Sequence, residues 1–378
     1  MTNAPLPKVL VIGPVPPPFH GPAVGTRALL NDARLTGRFG LLHLDTTDRR
    51  PMGNMGRLDL VNAWLAVKHA ALCALHLVAD RPALVYIPIS QNALAFLRDA
   101  LLLLPAILVR RKLVIHLHGS DFKRFYATSA APLRMLVRFI FRHTARVIVL
   151  GDNLRPIFDG LIPADRVVTV PNGVNGAPFD RLRSTAPKAP ADGLQVTYLG
   201  NLTQGKGYRQ LLAAIPQVLE HVPKAHFNLA GAMFPPAGLH TLNRYRLEPV
   251  IAGAAAFLGT VSVDAKIQLL LDSDVFVFPP VQPEGQPMVL LEAMAAGLPI
   301  VTTDQGAICE TVLDGVQGFI VPASDPQALA EKITLLLQDE SLRRRMGQAS
   351  LQRFRAHYTL ERWADDMAQV FQQVLAGP

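Results

Sequence analysis

Two glutamates with seven residues between them flank a turn suited to a phosphorylated ligand that carries many hydroxyl groups. Glu284 lies in a Gly/Pro-rich loop after a short apolar run, the pattern of a strand buried in an α/β sheet. Glu292 lies in an apolar segment with a helical pattern that ends at Gly297 and Pro299. Helical side chains lean towards the N-terminus, so Glu292 can reach back towards a ligand at that end. Open α/β sheets bind ligands beyond the carboxyl ends of their strands, which is where Glu284 is expected.

The turn between the two glutamates has the features of an anion site. Pro287 suits the first helical position, because its missing N–H would be unpaired there. The backbone N–H groups of Gln286 and Met288, next to Gly285, would then face an anion at the positive end of the helix dipole. A carboxylate on either side of that anion favours a nucleotide that carries a polyhydroxylated group.

A glycine-rich segment, Gly200–Gly207, places a lysine after another predicted strand. The spacing of Lys206 is close to that of a P-loop, but Gly207 stands where serine or threonine would bind magnesium. The segment therefore predicts a phosphate-binding lysine, and it disfavours a P-loop NTPase.

The residues around both glutamates resemble a known family signature. Glu284-Gly, an apolar stretch, Leu-Leu-Glu292-Ala-Met-Ala-x-Gly-x-Pro-Ile-Val and the later Asp314-Gly-x-x-Gly-Phe are similar to the signature of family four, the retaining nucleotide-sugar glycosyltransferases (glycosyl transferases group 1). The resemblance implies an α/β protein with the GT-B fold. In that fold two Rossmann-like, doubly wound parallel-sheet domains face each other across a cleft, and a C-terminal helix crosses back to the first domain.

The resemblance also implies an activity. The expected reaction moves a sugar from a UDP, GDP or related nucleotide sugar to a saccharide or lipid-linked saccharide, in cell-envelope or exopolysaccharide synthesis. Asp272-Ser-Asp274 looks like the metal-binding Asp-x-Asp of a different glycosyltransferase architecture, but its place between a helix and a strand favours a structural role. We therefore expect no catalytic metal and no cofactor other than the donor substrate.

The resemblance assigns roles residue by residue. Glu292 would bind the ribose hydroxyls, Glu284 would hold the transferred sugar, and Lys206 with the amides of residues 286–288 would stabilise the departing diphosphate. Asn201 stands where the family has an arginine, so a neutral amide replaces a positively charged guanidinium group. More of the developing charge would then fall to Lys206, to helix N-termini or to another cation.

Further positions are expected near the ligands. His118, with Asp121 behind it, resembles the family histidine that faces the acceptor and the donor sugar, whereas His116 is expected in the core. A helix is expected to begin near Arg27. Three more predicted contacts complete the set: Gly21 in the turn after the first strand, Asn172 in a Pro-Asn-Gly loop, and Gly259 near the nucleobase.

Short apolar runs alternate with helical patterns in both halves of the chain, which predicts parallel sheets. The runs expected as strands begin at Lys8, Phe39, Leu84, Leu113, Arg146 and Val167, and then at Gln195, Ala225, Asp274, Pro299 and Gly318. A linker rich in Pro and Ala is expected at 184–194. We therefore predict an N-terminal acceptor-binding domain over 1–185 and a C-terminal nucleotide-sugar-binding domain over 186–355. A final helix at about 356–378 would pack back on the first domain.

Charge is unevenly distributed along the 378 residues. Residues 1–180 hold 21 Lys and Arg against 11 Asp and no Glu, whereas the whole chain has a net charge of +8. Arg134, Arg138 and Arg142 recur every four residues in a helical pattern that could lie on anionic lipid, or form the solvated edge of a buried helix. Nucleic acid is not expected as a partner, because no binding motif or aromatic series accompanies the charge.

Two cysteines far apart fit a reducing cytoplasm, and apolar stretches such as 100–109 reach roughly half the length of a spanning helix. We predict a cytoplasmic protein that could lie peripherally on the inner face of the cell membrane. Three alternatives stay open: a catalytically weak nucleotide-sugar-binding protein of the same fold, an epimerase or phosphorylase on that fold, and the disfavoured NTPase.

Overall fold

The computed structural model describes residues 5–17, 21–49, 60–185, 192–233 and 239–377. The chain forms two compact units, residues 1–172 with 360–378 and residues 173–359. Each unit is built on a six-stranded sheet whose paired strands are all parallel. The predicted linker lies largely outside the described residues, since 186–191 are not among them.

The first unit has the strand order β2-β1-β3-β4-β5-β6. Its strands are β1 Lys8–Gly13, β2 Gly40–Asp45, β3 Leu84–Pro88, β4 Lys112–His116, β5 Arg146–Val149 and β6 Val167–Thr169. Its helices are α1 Gly21–Asn31, α2 Ala33–Thr36, α3 Leu60–Ala79, α4 Ala93–Leu108, α5 Phe122–Thr128, α6 Ala131–Arg142 and, from the end of the chain, α16 Leu360–Ala376. All six predicted strands of this unit are confirmed.

The second unit has the strand order β12-β11-β10-β7-β8-β9. Its strands are β7 Gln195–Leu199, β8 His226–Ala230, β9 Ala255–Gly259, β10 Val275–Phe278, β11 Ile300–Thr303 and β12 Gly318–Val321. Its helices are α7 Ala177–Thr185, α8 Tyr208–His221, α9 Leu239–Leu247, α10 Pro249–Ala254, α11 Val263–Leu271, α12 Met288–Ala296, α13 Ile308–Thr311, α14 Pro326–Gln338 and α15 Glu340–His357. The strand series expected from the sequence omitted β9, which is an edge strand that is partly exposed along its whole length.

The boundary between the units lies earlier than the predicted position at 185. Helix α7 belongs to the second unit because Phe179 is 3% exposed and packs in that unit's hydrophobic core. The final helix begins at Leu360, after α15 ends at His357, and not at about 356. It returns to the first unit, where Met367 and Phe371 are fully buried in the core, and this part of the predicted fold is confirmed.

The strand order of the second unit determines where a ligand can bind. From β7 the chain adds β8 and β9 on one side, and it then places β10 on the other side of β7. The loops after β7 and β10 therefore diverge from neighbouring strand ends and leave a crevice at the carboxyl edge of the sheet. Lys206 and Glu284 lie in these two loops.

Candidate functional site

Lys206 and Glu284 form an ion pair between the two loops. The Lys206 Nζ lies 2.5 Å from Glu284 Oε1, and the same ammonium lies 5.8 Å from the centre of the Phe278 ring. The carboxylate is 14% exposed and the lysine side chain is 36% exposed. Burial raises the pKa of Glu284, and the neighbouring Lys206 ammonium opposes part of that rise. The pair thus keeps a largely desolvated carboxylate next to a cation that still reaches solvent.

Backbone hydrogen bonds fix the loop that carries Lys206. The Tyr198 hydroxyl, on a buried strand, donates to the Lys206 carbonyl oxygen at 3.3 Å. The Val281 N–H, from the loop after β10, donates to the Gly205 carbonyl at 2.9 Å. The position of the lysine is therefore set by both neighbouring strands.

Two glycines allow the loops to approach one another closely. Gly207 has φ 77° and Gly306 has φ 61°, the left-handed region that other residues rarely adopt. A Cβ at Gly207 would overlap the Pro279 carbonyl, and a Cβ at Gly306 would overlap the Glu284 carbonyl. Gly207 is thus required by packing at the position where a P-loop would have its hydroxyl residue.

Helix α12 begins at Met288, and Pro287 is its N-cap, not its first helical residue as predicted. A proline at the cap leaves the N–H groups at the start of the helix without intrahelical partners, so the predicted anion site is displaced by one residue only. The side chain of Gln286 is 5% exposed and donates to the Thr311 hydroxyl at 3.0 Å, so it supports the loop from inside. The Gly285 carbonyl accepts a hydrogen bond from the Ala307 N–H at 2.9 Å, which ties this loop to the one after β11.

Glu292 forms the second ion pair of the site, with a residue that the sequence did not single out. Lys266 Nζ lies 2.5 Å from Glu292 Oε1, and the two side chains are 25% and 13% exposed. Lys266 lies in the first turn of α11, which follows β9, while Glu292 lies on α12. The two residues are 26 positions apart in the sequence. The one feature that could have pointed to Lys266 is its place near the start of a helix that follows a strand.

The other predicted residues of the second unit have separate positions. Asn201 is exposed directly after β7, and its carbonyl accepts the Tyr198 hydroxyl at 3.3 Å. Gly259 ends β9, and its carbonyl accepts the Gly231 N–H at 2.7 Å. Asp274 accepts the N–H of Gln195 at 2.8 Å, in agreement with a structural role for the Asp-x-Asp sequence. Among the described residues there is no cluster of three or more His, Cys, Asp and Glu side chains that could hold a metal ion.

In the first unit, two histidine rings stack at the end of β4. The ring centres of His116 and His118 are 3.9 Å apart with 29° between the planes. His116 is fully buried, hydrogen-bonds the Tyr86 hydroxyl through Nδ1 at 2.8 Å, and has a pKa that burial lowers well below 6.5. The expectation that His116 is a core residue is confirmed. His118 is half-buried, on the outer side of this stack.

Helix α1 also lies close to His118. A Cβ added at Gly25 would lie 3.6 Å from His118 Cε1. Helix α1 begins at Gly21, six residues before the expected start near Arg27, so Gly21 opens a helix and is not part of a preceding loop. Pro22 as the second helical residue needs no N–H partner, which explains why a Gly-Pro pair can open this helix.

Asp121 pairs with Arg124 at 2.6 Å, and its N–H donates to Gln91 at the same distance. Asp121 therefore belongs to a polar network with Arg124 and Gln91. Asn172 is half-buried at the last position of the first unit.

A sequence comparison identifies a family that the second unit resembles. The family described as Glycosyl transferases group 1 matches residues 183–353, which include Lys206, Lys266, Glu284 and Glu292. The second unit is therefore similar to the group 1 glycosyl transferases over most of its length.

Curated relatives of the chain have named roles. A phosphatidyl-myo-inositol mannosyltransferase of Mycobacterium leprae is 33% identical over 196 residues, 50% of this chain and 49% of that protein. The putative colanic acid biosynthesis glycosyltransferase WcaL of Escherichia coli is 32% identical over 202 residues, 50% of this chain and 48% of that protein. The chain spans about half the length of the curated relatives it matches.

Solved structures resemble the whole chain. HepE of Anabaena in complex with UDP-glucose matches with a TM-score of 0.72 and 19% identity, and the match covers 97% of this chain and 99% of that one. Sucrose-phosphate synthase of Thermosynechococcus elongatus matches with a TM-score of 0.76 and 20% identity over 98% and 99% of the two chains. At these identities the likeness concerns the fold, and the predicted GT-B fold is confirmed.

Proposed function

We propose that this protein is a group 1 glycosyl transferase and that it moves a sugar, with retention of configuration and without a metal, from a nucleotide diphosphate sugar to an acceptor. The observation that carries the proposal is the pairing of Lys206 with Glu284 and of Lys266 with Glu292 beside the N-terminus of α12. Cations, carboxylates and helix N–H groups at one carboxyl edge can recognise a diphosphate and the hydroxyl groups on both sides of it.

Each group would act on a different part of the donor. Glu292 would accept hydrogen bonds from the ribose hydroxyls, and Glu284 from hydroxyls of the transferred sugar. Lys206 would exchange Glu284 for a phosphate oxygen as negative charge develops on the leaving diphosphate. Prearranged cations and N–H groups of this kind need no reorganisation during the reaction, which is why they lower the barrier.

The proposed step breaks the bond between the anomeric carbon and the phosphate oxygen and forms a bond from the acceptor oxygen to that carbon. The acceptor attacks on the face from which the diphosphate leaves, so the configuration is retained. The acceptor proton passes to an oxygen of the departing diphosphate. Every electron pair is thereby accounted for without a nucleophilic side chain of the protein.

The first unit would hold the acceptor, and His118 would face it from the end of β4. A saccharide or lipid-linked saccharide is the proposed acceptor, in cell-envelope or exopolysaccharide synthesis. The names of the mycobacterial and E. coli relatives, a phosphatidyl-inositol mannosyltransferase and a colanic acid biosynthesis glycosyltransferase, support this choice. We place the protein in the cytoplasm, at the inner face of the membrane.

Thermal denaturation with UDP, GDP, ADP and their sugars tests the binding half of the proposal. A nucleotide present at about 100 times its Kd stabilises the native state by about 2.7 kcal/mol, which corresponds to roughly 5–10 °C for a unit of this size. Glu292→Gln should reduce that increase. If no nucleotide raises the melting temperature of the wild-type protein, the proposal is wrong.

Turnover is tested by release of nucleoside diphosphate in the presence of an acceptor. EDTA should leave the rate unchanged, and the anomeric signals of donor and product in NMR should have the same configuration. Release that requires inorganic phosphate would indicate a phosphorylase instead. Binding without turnover under all acceptors would favour a sugar-nucleotide-binding protein, the alternative to which the exposed, uncharged Asn201 points.

A further inference from the structure

Helix α3 exposes a continuous apolar stripe on the first unit. Leu60 is 90% exposed, Trp64 60%, Val67 65%, Leu75 61% and Val78 68%. At 3.6 residues per turn these five side chains fall within an arc of about 80° on one side of the helix. The helix is long and apolar enough to cross a membrane by length and composition, and 17% of that window is buried in the protein. The sequence-based view that apolar stretches reach only half of a spanning length overlooked α3.

The opposite side of α3 is fixed to the first unit. His69, Cys73 and Leu77 are at most 7% exposed, and Cys73 Sγ donates to the Leu102 carbonyl of α4 at 3.4 Å. Burial lowers the pKa of His69 and raises the pKa of Cys73 to about 11, as expected for groups inside a packed interface. A helix held in this way through its C-terminal half can place its outer side against an apolar phase without crossing it.

Neighbouring helices extend this surface. On α4, which packs against α3, Leu97 and Leu101 are each 45% exposed and Leu108 is 80% exposed. On α6, which packs against α4, Met135 is 71% exposed and Phe139 is 44% exposed. We call the exposed apolar side chains of α3, α4 and α6 the apolar face. Its extent exceeds the scattered exposure of single hydrophobic residues that soluble proteins tolerate.

Positive charge borders the apolar face. Arg134, Arg138 and Arg142 of α6 are exposed, and Lys68 of α3 holds its Nζ 5.3 Å from the centre of the Trp64 ring. Tryptophan and lysine in this arrangement suit the boundary between lipid headgroups and acyl chains. The charge is complementary to anionic headgroups, each basic residue near such a surface contributing roughly fivefold in affinity.

A cavity lies on the basic side of the apolar face. It has a volume of 390 Å³, and its lining includes Lys123, Tyr126, Arg134, Met135, Arg138 and Asp159. Arg138 Nε donates to the Tyr126 hydroxyl at 2.6 Å, which orients the guanidinium at the cavity wall. Three cations against one carboxylate make this cavity suitable for a phosphate group.

From these features we infer that the first unit docks on an anionic phospholipid bilayer, with α3 lying in the plane of the interface. The side chains of the apolar face enter the headgroup region and the outer acyl chains, and the cavity beside α6 receives a lipid phosphate. This inference does not depend on the proposed transferase chemistry, because it concerns α3, α4 and α6 and not the residues of the second unit.

Co-sedimentation with phosphatidylcholine vesicles, with and without phosphatidylglycerol, measures the docking. The double variant Trp64→Gln/Val67→Gln should lower the partition coefficient on the order of tenfold for each side chain removed. Leu247→Gln/Val263→Gln is the matched control, since these residues of the second unit are 80% and 59% exposed, and it should bind as the wild type does. Both variants alter exposed residues, and their melting temperatures should equal that of the wild type.

A second variant separates charge from apolar contact. Arg134→Gln/Arg138→Gln should lower the preference for phosphatidylglycerol roughly 25-fold and reduce the salt dependence, while binding to phosphatidylcholine is unchanged. Three results would overturn the inference. They are equal sedimentation of the Trp64/Val67 variant and the wild type, a dimer in light scattering that this variant dissociates, and retention of the protein in vesicles after alkaline carbonate extraction, which would mean that α3 spans the bilayer.

Discussion

Replacement of Lys206 by methionine is the most direct test of the electrostatic role given to the Lys206–Glu284 pair. The change keeps the length and apolar contacts of the side chain and removes only the ammonium. Because the Lys206 Nζ lies 2.5 Å from Glu284 Oε1, in the loop next to the start of α12, we expect it to transfer its contact to a phosphate oxygen when a donor binds. We expect kcat to fall more than KM rises, since the charge on the leaving diphosphate is greatest in the transition state.

The structure limits the size of the effect. A hydrogen bond to a charged group contributes about 1.5–3 kcal/mol, which corresponds to roughly a ten- to hundredfold change in rate. Lys206 is 36% exposed, so solvent screens part of its charge, and we expect a value near the lower limit, about tenfold. The exposed Asn201 supplies no charge at the neighbouring position and leaves this lysine a larger share of the effect.

The assay is release of nucleoside diphosphate from the donor that gives the largest thermal stabilisation. Lys332→Met is the matched control, since Lys332 also lies over an aromatic ring, 4.8 Å from Phe319, but outside the two loops of the site. Lys206→Met, Glu284→Gln and the double variant form a cycle that should deviate from additivity by about 0.5–3 kcal/mol, as expected for residues in contact. A Lys206→Met enzyme with the kcat of Lys332→Met would refute the assignment.

Three further perturbations have defined outcomes. Lys266→Met should raise the Kd for the nucleoside diphosphate about tenfold in calorimetry, because Glu292, 13% exposed, would lose its ammonium partner and repel the phosphates. Gly306→Ala should lower the melting temperature by about 4–8 °C and weaken nucleotide binding, since a left-handed φ costs about 1–2 kcal/mol and the added Cβ overlaps the Glu284 carbonyl. The pKa of His116 is lowered in the folded protein, so the unfolded state takes up a proton first as the pH falls. The free energy of unfolding therefore decreases below about pH 6.5. His116→Gln should reduce this loss of stability between about pH 7.5 and about pH 5.

Matched variants accompany these three tests. Lys224→Met removes an exposed lysine that pairs with Asp192 and should leave nucleotide affinity unchanged. Gly253→Ala places a methyl group where no atom lies within 4 Å and should not lower the melting temperature. His69, whose pKa burial also lowers, stays in the His116 variant, so the pH dependence should decrease without vanishing. Equal effects in a variant and its control, or an unchanged pH profile, would contradict the corresponding interpretation.

The central strands could be predicted from the sequence because they are largely buried on both faces. Residues 9–12 of β1 and all of β10 are fully or almost fully buried, so each strand is an uninterrupted apolar run bounded by polar residues, glycine or proline. The β9 strand has no such boundary at its start, because its residues follow α10 directly in one apolar run, and it remains partly exposed at the edge of the sheet. The boundary between the units was misplaced because composition identifies a linker, whereas the packing of Phe179 decides which unit α7 joins.

The site itself was predictable only where its residues are close in sequence. Glu284, Gln286 and Glu292 lie on one loop and the helix after it, and the sequence indicates both elements. Lys266 reaches Glu292 because α11 and α12 pack side by side, a relation that depends on the strand order and not on any local pattern. The start of α1 at Gly21 was missed for a local reason, since Gly-Pro ordinarily indicates a turn.

Lys266 adds a second positive charge to the proposed donor site. Two lysines and two glutamates cancel, so the paired site is neutral before a donor binds. A diphosphate adds negative charge, and the N–H groups at the start of α12 offset only part of it, equivalent to about half an elementary charge. An arginine at position 201 would supply a full charge, but this chain has a neutral asparagine there. We expect Lys266 to supply this charge. When ribose hydroxyls donate hydrogen bonds to Glu292, the Lys266 ammonium can turn from Glu292 towards the phosphates. The Lys266→Met variant should then lose affinity for nucleoside diphosphates far more than for the nucleoside alone.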